Sequence, residues 1–384
     1  MRIVHAAKFY PPVPGGMETV VKDLCDGMAD EYDVRVVGAN TGASTIVEQC
    51  GKVSVTRVAS LGKAHSVPLC LTLPLHLWRA AADCVVLHEP NPLAGTALFA
   101  HTPAPRLIVW HHSDLLRPAW APATYGRLQR ALYQRADCVI VSSPPLAAGS
   151  ALVQHARRVA VVPFGIRLDR FSGLNERQRA LADLLRRRYR GPRMLFVGRL
   201  VYYKGLEGLV DAMVSTPGTL LLAGEGPLEN EIRQRAAARG VADRVHMLAR
   251  VGDQDLPAYY DAADIVVLPS IASTETFGVV QLEAMAAGRP VVSTKLPTGV
   301  PWVNQDDVSG LVVPPGDVPA LAAALTRLGL DDGLRRRLGA GGLSRARSTF
   351  SIERMVEAFK GVVDDVVTQA ADQRAAGPVR ARVQ

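Results

Sequence analysis

Nowhere in this 384-residue sequence do 18 apolar residues follow one another, although 48% of the chain is hydrophobic. A membrane-spanning helix needs such a run, so no span is expected. The richest segment, 67–78, is broken by Pro68, Pro74 and His76. Cysteine is sparse and poorly placed for pairing. Cys25, Cys50, Cys70, Cys84 and Cys138 are odd in number, irregularly spaced and without a Cys-x-x-Cys. That excludes a disulfide framework and a zinc site of ordinary spacing, and leaves small buried hydrophobes. Aromatic residues are only 5% and do not interleave with the scattered arginines as a nucleic-acid-binding surface would require, so no nucleic-acid partner is expected. Acidic residues fall short of basic ones, 36 against 44, for a net charge of +8. This balance favours phosphates, nucleotides or anionic lipid surfaces as partners. Before Lys8 the N-terminus offers only the short stretch 3–7, too short for a signal-peptide core, so a cytoplasmic location is expected.

Two nucleotide fingerprints are also missing. No Gly-x-Gly-x-x-Gly follows the first expected strand, and Gly224-Glu225-Gly226 lacks the third glycine. A nicotinamide enzyme is therefore disfavoured. In the stretch Gly198 to Gly205, G-R-L-V-Y-Y-K-G, Lys204 is followed by no Ser or Thr, which disfavours a P-loop.

What is present is alternation. Short Val/Ile/Leu runs predict strands at 2–6, 33–38, 53–58, 84–88, 107–110, 138–142 and 159–162, with helices such as 18–29, 91–100, 124–135 and 145–154 between them. Continuous apolar runs mark strands covered on both faces. A second series follows at 194–197, 219–223, 245–248, 265–268, 291–293 and 311–313. The arginine-rich stretch from Pro163 to Pro192 reads as the linker. The fold class is α/β, two doubly wound domains in tandem: 1–168 and 169–351, with a helix of about 352–370 packing back on the first. Open parallel sheets bind ligands at the carboxyl ends of their strands, so a cleft between the domains is expected to hold the ligand.

Three features carry chemistry. Gly15-Gly16, ahead of a helix opening at Met17-Glu18, would let backbone N–H groups approach an anion, and reads equally as a plain turn. Arg199 and Lys204 follow the first strand of the second domain, where two cations can neutralise a diphosphate or simply be solvated. The segment 270–290, S-I-A-S-T-E-T-F-G-V-V-Q-L-E-A-M-A-A-G-R-P, sets Glu275 and Glu283 eight positions apart. Phe277-Gly278 is expected to open a helix there and Gly288 with Pro290 to end it. A rise of about 1.5 Å per residue makes the separation on the order of 12 Å, the span of a nucleotide sugar laid across a helix N-terminus. On that reading Glu283 reaches the ribose hydroxyls, the N–H groups near Gly278 and Val279 hold the diphosphate, and Glu275 sits at the sugar. Asp253-Gln254-Asp255 has the D-x-D form of a metal site, but it precedes a helical pattern and is read as an N-cap; no metal is expected.

These motifs resemble the retaining, nucleotide-sugar-dependent glycosyltransferases of family 4, with the GT-B fold of two Rossmann-like domains facing a central cleft. The resemblance runs through P-G-G-M-E (14–18), H-S-D (112–114), S-S-P (142–144), V-P-F-G-I (162–166), G-R-L-V-Y-Y-K-G (198–205), A-G-E-G-P (223–227) and E-T-F-G-V-V-Q-L-E-A-M-A-A-G-R-P-V-V (275–292). It implies donor contacts at Gly16, Arg199, Lys204, Phe277, Gly278, Val279 and Glu283, with Glu275 at the transferred sugar. It further implies that His112 hydrogen-bonds the sugar near the reacting carbon, and that the main chain of Val251 meets the base. His111 stands beside His112 where the family more often has one histidine, and it stays open as a partner in that role.

The resemblance implies a retaining hexosyltransferase using a UDP- or GDP-sugar, needing no metal or other cofactor, with a glycan or lipid-linked acceptor held by the N-terminal domain, in cell-surface polysaccharide synthesis. Such enzymes work at the cytoplasmic face of a membrane. Arg127, Arg130 and Arg135 on one helical segment suit a peripheral contact there, and suit a solvated face equally. A GT-B epimerase or phosphorylase, or a non-catalytic two-lobed sugar-binding protein, are the alternatives.

Overall fold

Runs of valine, isoleucine and leucine build two parallel sheets. In the computed structural model, which describes residues 1–13, 15–64, 67–114 and 121–375, the chain divides into two units, Met1–Pro163 with Ile352–Gln384, and Phe164–Ser351. The tail beyond residue 375, expected to fray, and Pro14 of the first glycine motif lie outside the described residues.

The first unit contains β1 (Arg2–Ala6), β2 (Asp33–Ala39), β3 (Ile46–Cys50), β4 (Val53–Val58), a small hairpin of β5 (Lys63–Ala64) and β6 (Val67–Pro68), β7 (Cys84–Glu89), β8 (Leu107–His111), β9 (Cys138–Val141) and β10 (Val159–Val161). Its main sheet runs β10-β9-β8-β7-β1-β2-β4-β3. All neighbours are parallel except β3, which pairs antiparallel with β4. Strands β7, β8 and β9 are buried at every position, as strands covered on both faces are. Edge strand β3 was not expected from the sequence, because Ile46 through Gln49 all face solvent and give no apolar pattern. The helix Ile352–Ala375 belongs to this unit and buries Met355, Phe359 and Val363.

The second unit contains β11 (Arg193–Val197), β12 (Thr219–Ala223), β13 (Val245–Met247), β14 (Ile265–Leu268), β15 (Val291–Thr294) and β16 (Gly310–Val313), all parallel, in the order β13-β12-β11-β14-β15-β16. Strand order reverses between β11 and β14, and at such a switch point the loops leave in opposite directions and open a crevice.

Three expectations need correction. The stretch expected to be a linker is largely helical: Asp169–Ser172 is a short helix, and Glu176–Arg188 starts from a reciprocal cap between Asn175 and Gln178. Its arginines obscured a buried stripe containing Ala182 and Leu185. The division falls between Pro163 and Phe164, since Phe164 packs on Phe277 at 4.9 Å and Ile166 bridges to Ser351, both in the second unit. The single helix expected at 145–154 stops at Gly149, capped by Ser150, and a separate 3₁₀ turn, Val153–His155, follows.

Candidate active site

The two loops at the switch point of the second sheet are knitted together. Lys204 ends a 3₁₀ turn, Tyr202–Lys204, because Gly205 takes a left-handed conformation (φ 68°). A Cβ at Gly205 would collide with the Pro269 carbonyl oxygen on the loop after β14, so only glycine allows the two loops to meet. Ile271 N–H donates to the Tyr203 carbonyl at 2.8 Å. In this frame Lys204 Nζ donates to Glu275 Oε2, and Ser270 Oγ donates to the same oxygen at 3.0 Å. A Cβ at Gly198, just after β11, would come within 3.8 Å of the Lys204 ammonium, and Gly224, just after β12, abuts the Gly198 carbonyl with no room for a Cβ. Arg199 is exposed and, among the described residues, its guanidinium has no hydrogen-bond or ion-pair partner.

The helix bearing Glu283 runs Val279–Ala286 and opens at Gly278, whose left-handed φ of 73° ends the preceding loop. Glu275 therefore lies on the loop, and the expected eight-residue helical separation from Glu283 does not apply. Glu283 is half-buried and accepts a hydrogen bond from Tyr260 at 2.5 Å. Burial raises its pKa, opposed by Tyr260 and Arg170 and reinforced by Asp253. The Phe277 ring is 2% exposed and packs against Phe164, Trp302 and Phe350, so only its main chain can serve a ligand. Val251 sits in the loop after β13, and among the described residues its peptide groups have no protein partner.

Asp253 and Asp255 do not act as expected. Asp255 occupies an N-cap position without making the cap bond, and pairs instead with Arg177 at 2.9 Å. The Asp253 carbonyl accepts from Arg170 at 2.6 Å and the Gln254 carbonyl from Gln178 at 2.7 Å, so the segment anchors the helices that follow Leu168.

In the first unit the helix Gly16–Met28 begins at Gly16 itself, one residue before the expected Met17. A Cβ at Gly16 would meet nothing within 4 Å, so packing within the protein does not demand glycine there. His112 follows β8 and is 3% exposed; its N–H donates to the Glu89 carbonyl at 2.9 Å, and its ring stacks on His88 and Trp110. Burial, with a smaller contribution from His111, lowers its pKa to about 3, so it is neutral near pH 7. His111 shares a hydrogen bond of 2.7 Å with the Tyr133 hydroxyl and lies 3.7 Å from Asp114. Burial lowers its pKa to about 4 against the pull of Asp114.

Sequence reasoning missed several side chains here. Tyr260 and Ser270 hold the two glutamates, and His88 meets the His112 ring at 2.9 Å. Buried Glu89 accepts from Tyr125 and Gln129, each at 2.8 Å, and burial raises its pKa. The run His88-Glu89-Pro90 at a strand end was the one available signal. Arg127, Arg130 and Arg135 are all exposed, but the Arg135 guanidinium is tied to the Phe99 carbonyl at 2.8 Å.

The glycosyl transferases group 1 family matches residues 185–345, and the glycosyl transferase 4-like domain matches residues 15–165. The chain is 30% identical to the O-antigen chain mannosyltransferase C of Escherichia coli, over 94% of this chain and 97% of that protein. It is also 30% identical to the D-rhamnosyltransferase WbpZ of Pseudomonas aeruginosa, over 91% and 92%. Among solved structures, sucrose-phosphate synthase from Thermosynechococcus elongatus superposes with a TM-score of 0.79 at 24% identity, covering 96% of this chain and 99% of that one. Anabaena Alr3699/HepE, solved in complex with UDP-glucose, gives a TM-score of 0.77 at 22% identity, covering 95% and 100%.

Proposed function

The chain belongs to the family 4 glycosyltransferases of the GT-B fold, and from that premise we propose that it moves a hexose from a UDP- or GDP-sugar to a hydroxyl acceptor, with retention of configuration and without a metal ion. The observation that carries this reading is the meeting of Lys204 and Glu275 at the switch point of the second sheet, with Glu283 on the helix that follows. Lys204 and exposed Arg199 supply fixed positive charge where a departing diphosphate gains negative charge. The open N–H groups at Gly278 and Val279 add a helix N-terminus, and Gly16 leaves space for close approach. Glu283 accepts from ribose hydroxyls, the main chain of Val251 meets the base, Glu275 accepts from the sugar, and His112 hydrogen-bonds the sugar as well.

The mannosyl- and rhamnosyltransferase relatives favour a sugar of manno configuration, because D-rhamnose is 6-deoxymannose. The name of the first also favours a cell-surface glycan acceptor. A peripheral contact with a membrane would rest on Arg127 and Arg130; among the described residues no helix is long and apolar enough to cross one.

Thermal shift with UDP, GDP, NAD and ATP–magnesium, followed by transfer assays on a donor panel with and without EDTA, tests this reading. A nucleoside diphosphate at 100 times its dissociation constant should stabilise by about 2.7 kcal/mol. Transfer should survive EDTA and should need an acceptor, which an epimerase would not. A shift by NAD alone, or activity lost on chelation and restored by manganese, would overturn the reading.

A further inference from the structure

Strand β13 is an edge of the second sheet, so its outer side has no neighbouring strand. Against it lies a cavity of 440 Å³, within the range of about 300–1,000 Å³ usual for small-ligand clefts. Four polar side chains line this cavity from three parts of the unit. Arg188 ends the helix Glu176–Arg188 and Tyr189 follows it, His246 is on β13, and Tyr259 is on the helix Leu256–Ala262. The Tyr189 and His246 rings are 4.8 Å apart, and the Arg188 guanidinium is 5.4 Å from the centre of the Tyr189 ring. The charge of Arg188 reaches the other two groups as well. Burial and then Arg188 lower the pKa of His246 against the pull of Asp243, while burial, Tyr189 and Asp255 raise that of Tyr259 against Arg188.

Among the described residues, none of these four side chains makes a hydrogen bond or an ion pair. Arg186, two positions before Arg188, is by contrast paired with Asp183 and Asp261. Tyr189 is only 5% exposed, yet its hydroxyl is not shut in by protein. His246 and Tyr259 are half-buried. Buried polar groups are normally partnered, so a cluster that leaves its polar ends open around one cavity is suited to a polar ligand. The sign of that ligand follows from the charges. Arg233 also lines the cavity but is paired with Glu229 at 2.9 Å; Asp255 is paired with Arg177, and neither it nor Asp243 lines the cavity. Arg188 therefore supplies the uncompensated charge there. A guanidinium, two phenols and an imidazole are chiefly donors, and donors from three parts of the unit suit tetrahedral oxygens better than a planar carboxylate.

We propose that this cavity binds a phosphate group, as the free ion or as the phosphomonoester of a small molecule. Arg188 is the charged donor, Tyr189, Tyr259 and His246 are neutral donors, and Leu181, Leu185 and Met247 form an apolar wall for the rest of an ester. None of the residues assigned above to the nucleotide or the transferred sugar lines the cavity. The site is thus a second one in this unit, and it stands whether or not the transferase reading does.

Titration of the whole protein with inorganic phosphate and with phenyl phosphate, read at the His246 ring by proton–nitrogen NMR, tests this. Loss of signals in His246→Gln identifies the ring. A phosphate beside it should move those signals and raise the pKa of His246, because an anion favours the imidazolium; chloride at equal ionic strength should do neither. Arg188→Gln, at an exposed position, should weaken binding about tenfold or more, the fold-change of one charge-assisted hydrogen bond, and Tyr259→Phe about fivefold. Arg199→Gln, which removes a cation assigned to the nucleotide, should leave the response unchanged, and melting temperatures show that each variant is folded. Tighter binding of phenyl phosphate marks an ester as the ligand, and equal or weaker binding marks the free ion. The proposal is overturned by a silent His246, by a response that chloride reproduces or Arg188→Gln keeps in full, or by one that Arg199→Gln abolishes, which would put the anion at the loop after β11.

Discussion

The ammonium of Lys204 donates to the carboxylate of Glu275, joining the loop after β11 to the loop after β14, with the two side chains only 10% and 11% exposed. Two groups expected to meet a ligand thus neutralise each other. A pair this buried is held at a desolvation cost, and removing one partner strands the other. A diphosphate arriving beside Lys204 would compete with Glu275 for the same protons, releasing a carboxylate for sugar hydroxyls.

Lys204→Met and Glu275→Gln should each lower the stability of the second unit, by about 1–3 kcal/mol, because each leaves a buried polar partner unsatisfied. The double variant should lose less than the sum of the two. Denaturant unfolding of all four proteins checks this. Strict additivity would mean that the pair does not form in solution.

Nucleotide binding should separate the two glutamates. Glu283→Gln removes an acceptor for ribose hydroxyls and should weaken UDP or GDP binding. Glu275→Gln should leave that binding unchanged or a few-fold tighter, since it frees Lys204, while transfer collapses. Calorimetric titration beside initial rates reads both. If Glu275→Gln abolished nucleotide binding and Glu283→Gln spared it, the assigned orientation of the donor would be reversed.

The strands were legible because a strand covered on both faces is a continuous apolar run, as Cys138–Val141 and Ile265–Leu268 are. Strand β3 was not, because an exposed edge imposes no such pattern. The helix opening at Phe277-Gly278 was legible, but the helical rise does not extend back to Glu275, because the left-handed turn at Gly278 leaves that residue on the preceding loop. Motif residues could be picked out, but not their partners. Lys204 and Glu275 are 71 positions apart, Tyr260 and Glu283 are 23 apart, and His5 and His88 are 83 apart. Only the parallel topology, which sets the ends of distant strands side by side, brings them together.

Glu283 also carries a pH signature. Its pKa in the folded protein is raised by burial, so folding favours the protonated form. That contribution is fully present below the unfolded value near 4.5 and is lost as pH rises through the raised folded value. Glu283→Gln has no proton to lose. Its stability relative to wild type should therefore rise as pH increases from about 4 to 7. Melting temperatures of the two proteins across that range give the difference directly, and a difference that falls with pH would mean that the folded pKa is lowered.

Gly16 and Gly224 should respond to alanine in opposite ways. Gly224 has φ of 154° and abuts the Gly198 carbonyl, so Gly224→Ala must displace backbone at the ends of β11 and β12 and should destabilise the second unit. At Gly16 a Cβ meets nothing within 4 Å, and the residue opens a helix of 13 residues. Alanine there should leave stability unchanged or raise it by about 0.5–1 kcal/mol, through the lower entropy cost of ordering alanine in a helix. Transfer should nevertheless fall, because the open space is the space the donor's diphosphate is proposed to fill. Thermal unfolding and initial rates on Gly16→Ala decide the matter: a stable protein with impaired transfer means that glycine is kept there for the ligand, and a stable protein with full transfer would remove Gly16 from the donor site.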